Sequence, residues 1–345
     1  MLVVALGLSL LGAERTAAAG GVRTTAVLAS APMRMVSAQA SPIAARVAVV
    51  PKDPFAIRRM RRFLDTRSGN ITAGIYNVAT KTTFLYHPRD REQTASIVKA
   101  NILALLLAQA QARHEPLAGD DEAIATGMIE ESDNNDATDL WDDEGGAPAI
   151  AAFDARLHMT QTTPSYAWGL TETTPRDQLR LLRHIALPNK ILRHAYRESE
   201  LYLMEHVISD DYWGITAGPT HATVAVKNGW LPVAGGWQIN SIGMVRGDHR
   251  AYLIAVMTNE NPDEGYGIDT IEGISRIVWA DLRQRRAPEG STGPSGASGS
   301  TGVTGATGAT AAPAEQREPR VAATTHAHET GRQPRSAGQR PAPGG

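Results

Sequence analysis

Ser96 and Lys99 stand three residues apart in TASIVKANILALLLAQ, residues 94–109, a run that is otherwise almost entirely apolar. On a helix that spacing puts two side chains next to each other on one face. A serine hydroxyl becomes a strong nucleophile when a neighbouring base takes its proton, and a buried lysine, unlike an arginine, can give up its own proton and serve as that base. Lysine occurs only at positions 52, 81, 99, 190 and 227, while arginine supplies the other formal positive charges. The alternative is a lysine whose stem packs while its amine reaches water. Two other short groups carry similar side chains: Ser132, Asp133 and Asn134 after MIEE, and Lys227, Asn228 and Gly229 after ATVAV. Each is weak alone. Together, at a helix start, a helix-end loop and a strand, they are far more specific. With Ser96 in a first helical turn, the helix-end amides favour negative charge developing beside it.

The surrounding patterns predict the elements that hold these groups. DPFAIRRMRRFL reads as an amphipathic helix with a solvated basic face, and ITAGIYNVAT and TTFLYH as a hairpin around Lys81. The Ser96 helix follows, then helices over DDEAIATGMIEE, APAIAAFDARL, TTPRDQLRLLRHIAL and SELYLMEHVI. Thr174 as N-cap and Pro175 at the first helical position mark the start of one of them. HATVAVKNG, GGWQINSIGMV and RAYLIAVMTN read as strands, and GIDTIEGISRIVWADL as a closing helix. Short links between the late strands imply antiparallel pairing. The order predicts an α/β fold: a sheet flanked by helices, with an inserted helical lobe and a cleft between lobe and sheet edge.

Composition narrows the function classes. A formal charge of −2 argues against nucleic acid as a partner, and the absence of cysteine excludes disulfides, a thiolate metal site, a cysteine nucleophile and a lipid-modified cysteine. His158, His184, His194, His206 and His221 show no metal spacing. WDDEGG at 141–146 lacks the periodicity of a calcium loop and reads as a solvated turn. No cofactor or metal is expected. MLVVALGLSLLGA followed by small residues reads as a signal peptide over 1–19, too short for a stable membrane span, although no positive charge precedes it. Residues 20–51 read as a linker and 52–286 as the folded unit, so export to the cell-wall side is expected. Glycine at 290, 293, 296, 299, 302, 305 and 308 keeps a Gly-X-Y period with one proline, Pro294. Over 290–310 this reads as a flexible stretch within a disordered tail, 287–345. A monomer is expected, with trimerisation through the repeat as the alternative.

The three groups, S96-I-V-K99, S132-D-N134 and K227-N-G229, resemble the S-x-x-K, S-D-N and K-[ST]-G elements of the serine penicillin-recognising enzymes, and of class A β-lactamases in particular. The resemblance runs from about 55 to 286. SYAWGLTETTPRDQLRLL and VKNGWLP look most like exported serine hydrolases of actinobacteria. It implies an antiparallel five-stranded sheet flanked by helices plus an all-helical lobe, and a serine hydrolase acting on a β-lactam or a cell-wall peptide-like amide or ester. It also implies roles. Ser96 would be acylated, and Lys99, desolvated and close to Lys227, would take its proton. Ser132 would relay a proton to the leaving nitrogen. Asn134 would hold the substrate amide, and Lys227 and Asn228 would face its carboxylate. The backbone N–H groups of Ser96 and Trp230, beside Gly229, would form the oxyanion hole.

The departures also carry consequences. Asn228 replaces the family's Ser or Thr. The deacylating Glu of the family's E-x-x-L-N stretch has no counterpart in MTQTTPSYAWGLTETTP, where Glu172 is the only acid and reads as a loop-closing residue. Asp133 reads as a stabiliser of its own loop. The short interval from Ser96 to Ser132 predicts a more open cleft. Inefficient β-lactam turnover is therefore expected, with a penicillin-binding or cell-wall-binding protein of slow or no turnover as the alternative.

Overall fold

The structure, a computed structural model, describes residues 52–282 except residue 118. The expected signal peptide, linker, Gly-X-Y repeat and tail lie outside the described residues, as do 283–286. The chain opens with α1 (Arg58–Leu64) and the hairpin β1 (Asn70–Asn77) and β2 (Thr82–Tyr86). β3 (Glu92–Gln93) leads into a 3-10 turn, Ala95–Ile97, that runs directly into α2 (Val98–Arg113). The helical lobe continues with α3 (Asp120–Glu130), α4 (Asn134–Glu144) and α5 (Gly146–Arg156). β4 (Glu172–Thr173) pairs with β3 and precedes α6 (Pro175–Ala186) and α7 (His194–Glu205). β5 (Ala222–Val233), β6 (Gly236–Gly247), β7 (Arg250–Asn261) and α8 (Glu264–Asp281) complete it. The main sheet has the order β2-β1-β7-β6-β5 with every neighbour antiparallel, as the short links predict for β5, β6 and β7.

β7 explains why the sheet carries helices on both faces. Successive strand residues point to opposite sides. Leu253, Ala255 and Met257 enter a core shared with Ile102, Leu103 and Leu107 of α2. Tyr252, Ile254 and Val256 enter a second core with Met60 of α1 and Ile274 and Val278 of α8. An apolar run without polar gaps therefore means burial on both faces. The helix formed by the 3-10 turn and α2, Ala95–Arg113, has the length and apolarity to cross a membrane, and 78% of that surface is buried inside the fold. That burial places Lys99 in the interior at 0% exposure.

α6 starts as its sequence predicts, with the Thr174 hydroxyl accepting from the Asp177 N–H at 3.3 Å and Pro175 next. It lies so close on β1 that a Cβ on Gly74 would stand 2.8 Å from Leu179 Cδ1. One expectation is corrected. WDDEGG is not a solvated turn: it is the last turn of α4 with its glycine stop, Gly145, at φ 99°. Asp133 starts that helix by accepting from the N–H groups of Asn135 and Asp136. Ala137, Leu140, Trp141 and Glu144 then form its buried stripe. With so many acids around that narrow stripe, the helical period is hard to see in the sequence.

Candidate active site

Ser96 sits at the centre of the 3-10 turn, at the N-terminal end of the buried helix. The residue before it, Ala95, is held at φ 46°, a conformation costing on the order of 1–3 kcal/mol for a residue with a Cβ. Polar contacts from two sides hold it there. The Thr94 N–H donates to the Thr171 carbonyl at 2.8 Å, and the Asn240 amide of β6 donates to the carbonyls of Gln93 and Thr94, both at 2.8 Å. β5 closes in on the same turn. A Cβ on Gly229 would stand 2.6 Å from the Ser96 nitrogen and 2.8 Å from that of Ile97, so a larger residue would push the strand away. Trp230 follows next along β5.

The two lysines meet at Ser132. Lys99 Nζ donates to the Ser132 carbonyl at 2.6 Å, to Ser132 Oγ at 3.2 Å and to Asn134 Oδ1 at 2.8 Å. Lys227 Nζ, 95 residues further along the chain from Ser132, reaches the same Ser132 Oγ at 2.9 Å. Ser132 is held at φ 56° and hangs between them. Both amines are fully buried in the fold. Burial first, then the charge of Lys227, lowers Lys99 from 10.5 to about 7. Burial likewise lowers Lys227 to about 8, while the Asp211 carboxylate pulls the other way. Two like charges on one hydroxyl, away from water, favour losing one proton. The pair can therefore exist near neutral pH with one amine neutral and able to accept a proton.

The structure thus brings Ser96, Lys99, Ser132, Asn134, Lys227, Gly229 and Trp230 to one place, from the 3-10 turn and α2, the α3–α4 link and the start of α4, and β5. Asn228 is directed elsewhere. It is 1% exposed, and its amide donates to the backbone carbonyls of Asp211 at 2.7 Å and Trp213 at 3.2 Å. Side chains alternate along a strand, so with Lys227 facing Ser132 its neighbour points away. Rather than facing a substrate carboxylate, Asn228 clips the segment before β5 onto the strand. Glu172 closes a loop, as expected. It pairs in β4 with Gln93, bridges to Thr163 and meets Arg91 at 3.5 Å with its side chain 53% exposed.

Three residues at this site escape a reading of short motifs. Asp211, buried beside Asn228, is close enough to both lysines for each to act on its charge. Asn240 holds the approach to Ser96. Trp168 places its ring face 5.1 Å from Lys99 Nζ. The signal for Trp168 lay in SYAWGL, an aromatic pair in the segment where the deacylating acid is missing. Among the described residues no group of three or more His, Asp or Glu is placed to hold a metal ion.

A family model described as the beta-lactamase enzyme family matches residues 118–282. A class A β-lactamase from Bacteroides cellulosilyticus DSM 14838 superposes with a TM-score of 0.61 at 16% identity, over 68% of this chain and 100% of its own. The TLA-1 extended spectrum β-lactamase does so with 0.59 at 15%, over 65% and 96%. The chain therefore has the fold of the class A β-lactamases. It is also 27% identical over 202 residues to proteins named putative lipoprotein LppW in Mycobacterium bovis and Mycobacterium tuberculosis, over 55% of this chain. The match spans 63% of those relatives' length.

Proposed function

We propose that this protein is an acyl-enzyme-forming serine hydrolase of the β-lactamase type, with Ser96 as nucleophile and a β-lactam or a cell-wall peptide-like amide or ester as substrate. The observation that carries the reading is the Ser132 hydroxyl, shared by two buried lysines beside a serine on a strained turn. In the proposed step, neutral Lys99 takes the Ser96 Oγ proton as the oxygen bonds to the substrate carbonyl carbon. The carbonyl oxygen becomes an oxyanion facing the backbone N–H groups of Ser96 and Trp230, an interaction usually worth about 3–4 kcal/mol. The carbon–nitrogen bond then breaks. The leaving nitrogen takes the Ser132 hydroxyl proton, and Ser132 is reprotonated by Lys99, so no proton is gained or lost. Lys227 stays charged and faces the substrate carboxylate, while the Asn134 amide nitrogen is left to hold the substrate amide.

The alternative, a binding protein with slow or no turnover, draws support from Glu172. The only acid in the segment where the family keeps its deacylating base is paired with Arg91 and half-exposed. A location at the cell envelope or outside it fits both the apolar N-terminal run and the lipoprotein name of the mycobacterial relatives. The test is intact-protein mass after mixing with benzylpenicillin, with free penicillin followed in parallel. Wild type should gain one penicilloyl mass that Ser96→Ala does not. Equal labelling of both proteins, or neither an adduct nor a penicillin loss that depends on Ser96, sinks the assignment of the nucleophile.

A further inference from the structure

Trp168 occupies a place that the chemistry proposed for Ser96 does not explain. Lys99 is wholly buried, with hydrogen bonds to Ser132 and Asn134, and the Trp168 ring stands over its amine at 5.1 Å. The ring is fixed from several directions. Its Nε1–H donates to Thr138 Oγ1 on α4 at 3.2 Å, and its edge packs against the core around α2. Its own 3-10 turn, Trp168–Leu170, is closed by the Leu170 N–H on the Ala167 carbonyl at 2.8 Å and the Thr171 N–H on the Trp168 carbonyl at 3.1 Å. Thr171 in turn accepts from Thr94, two residues before the nucleophile, and a Cβ on Gly169 would touch Ala95 Cα at 3.8 Å. The ring and the nucleophile therefore belong to one rigid assembly.

Hydrolysis of an acyl-serine needs a water beside the ester and a base within hydrogen-bond reach of that water. Two carboxylates near this side are held in structural contacts. Glu172 pairs with Arg91 on the surface, and an Asp133 oxygen caps α4. The indole presents a flat apolar face that offers a water nothing to bond except through Nε1, which Thr138 already takes.

We propose that Trp168 is a positioning residue that walls off the inner side of the site from hydrolytic water and so makes the acyl group on Ser96 long-lived. This rests on the reading of Ser96 as nucleophile. The hydrogen bonds of Lys99 and Ser132 do not involve the ring, so its effect falls chiefly on the second half of the reaction, in which water oxygen would replace Ser96 Oγ on the acyl carbon.

The test uses the full chain with two acyl donors, benzylpenicillin and p-nitrophenyl acetate, in wild type, Ser96→Ala, Trp168→Ala, Trp168→Leu and Trp168→Phe. Intact mass after removal of excess donor gives the adduct lifetime, and stopped-flow the acylation rate. Acylation should stay within about threefold across the Trp168 variants. The adduct should decay at least tenfold faster in Trp168→Ala, less so in Trp168→Leu, and at the wild-type rate in Trp168→Phe. If Trp168→Ala does not fold, Trp168→Leu against Trp168→Phe decides. Equal lifetimes in all variants, or rapid turnover by wild type, overturn the wall while leaving the nucleophile intact. Finding neither an adduct nor a consumption of either donor that depends on Ser96 overturns both.

Discussion

In the proposed mechanism, the cost of burying a charge at Lys99 becomes the source of reactivity. A lysine in water is protonated at neutral pH and cannot act as a base. Burial and the nearby ammonium of Lys227 bring Lys99 to about 7, while Lys227, with Asp211 nearby, sits at about 8. The proposed acylation needs the first neutral and the second charged. Its rate should therefore rise with pH to a narrow maximum between about 7 and 8 and fall above it, the two limbs belonging to the coupled pair rather than to either residue. Stopped-flow acylation across pH 5–10 measures this, and a rate independent of pH would remove Lys99 from the mechanism. Asp211→Asn should move the alkaline limb to lower pH, because it takes away the negative charge that keeps Lys227 protonated. The Ser–Lys spacing was readable in the sequence because three residues along a helix always bring side chains together. Asp211 was not, because its closeness to the lysines comes from a loop folded against β5.

Among the elements, the contact between β5 and the Ser96 turn is the tightest part of the site. Gly229→Ala would place a methyl 2.6 Å from the Ser96 nitrogen, where backbone rather than a flexible side chain must yield. The strand should retreat and take the Trp230 amide with it, lowering the acylation rate constant about 100- to 1,000-fold. The far-ultraviolet spectrum should be unchanged, since the sheet order does not depend on that contact. Acylation at the wild-type rate would mean that β5 contributes nothing to the oxyanion site. β5, β6 and β7 were legible as apolar runs with short links. α4 was not, since its helical period rests on Ala137, Leu140, Trp141 and Glu144 among seven polar or acidic neighbours. Asn228 was misjudged for a related reason: a motif lists neighbours in order, but a strand sends them to opposite sides.

Across the whole molecule, the two cores tolerate charged groups at a cost that depends on pH. Glu200 of α7 is fully buried, and neither carboxylate oxygen has a partner. Burial raises its pKa well above 4.5, so the folded state keeps a proton that the unfolded chain releases. Its contribution to stability is intact below about pH 4.5 and is lost as pH rises towards the folded value, with each tenfold difference in proton affinity worth about 1.4 kcal/mol. The lysine pair runs the other way, since depressed amines cost stability at low pH and regain it as pH rises from about 7 to 10.5. Glu200→Gln should therefore stabilise the protein more at pH 8 than at pH 5, by on the order of 1 kcal/mol, read as a shift in urea midpoint. An equal shift at both pH values would mean that Glu200 is not protonated in the fold.

Most of the elements, the antiparallel run of β5, β6 and β7 and the spacing of Ser96 and Lys99 follow from local rules of helix and strand, which act over a few residues and are written in the sequence. The meeting of Lys227 with Ser132 across 95 residues, the lowered proton affinity of Lys99, the turning away of Asn228 and the Trp168 ring over the site do not. Each depends on which surfaces are buried against one another and on what charge that burial leaves nearby. Only the packed molecule decides those.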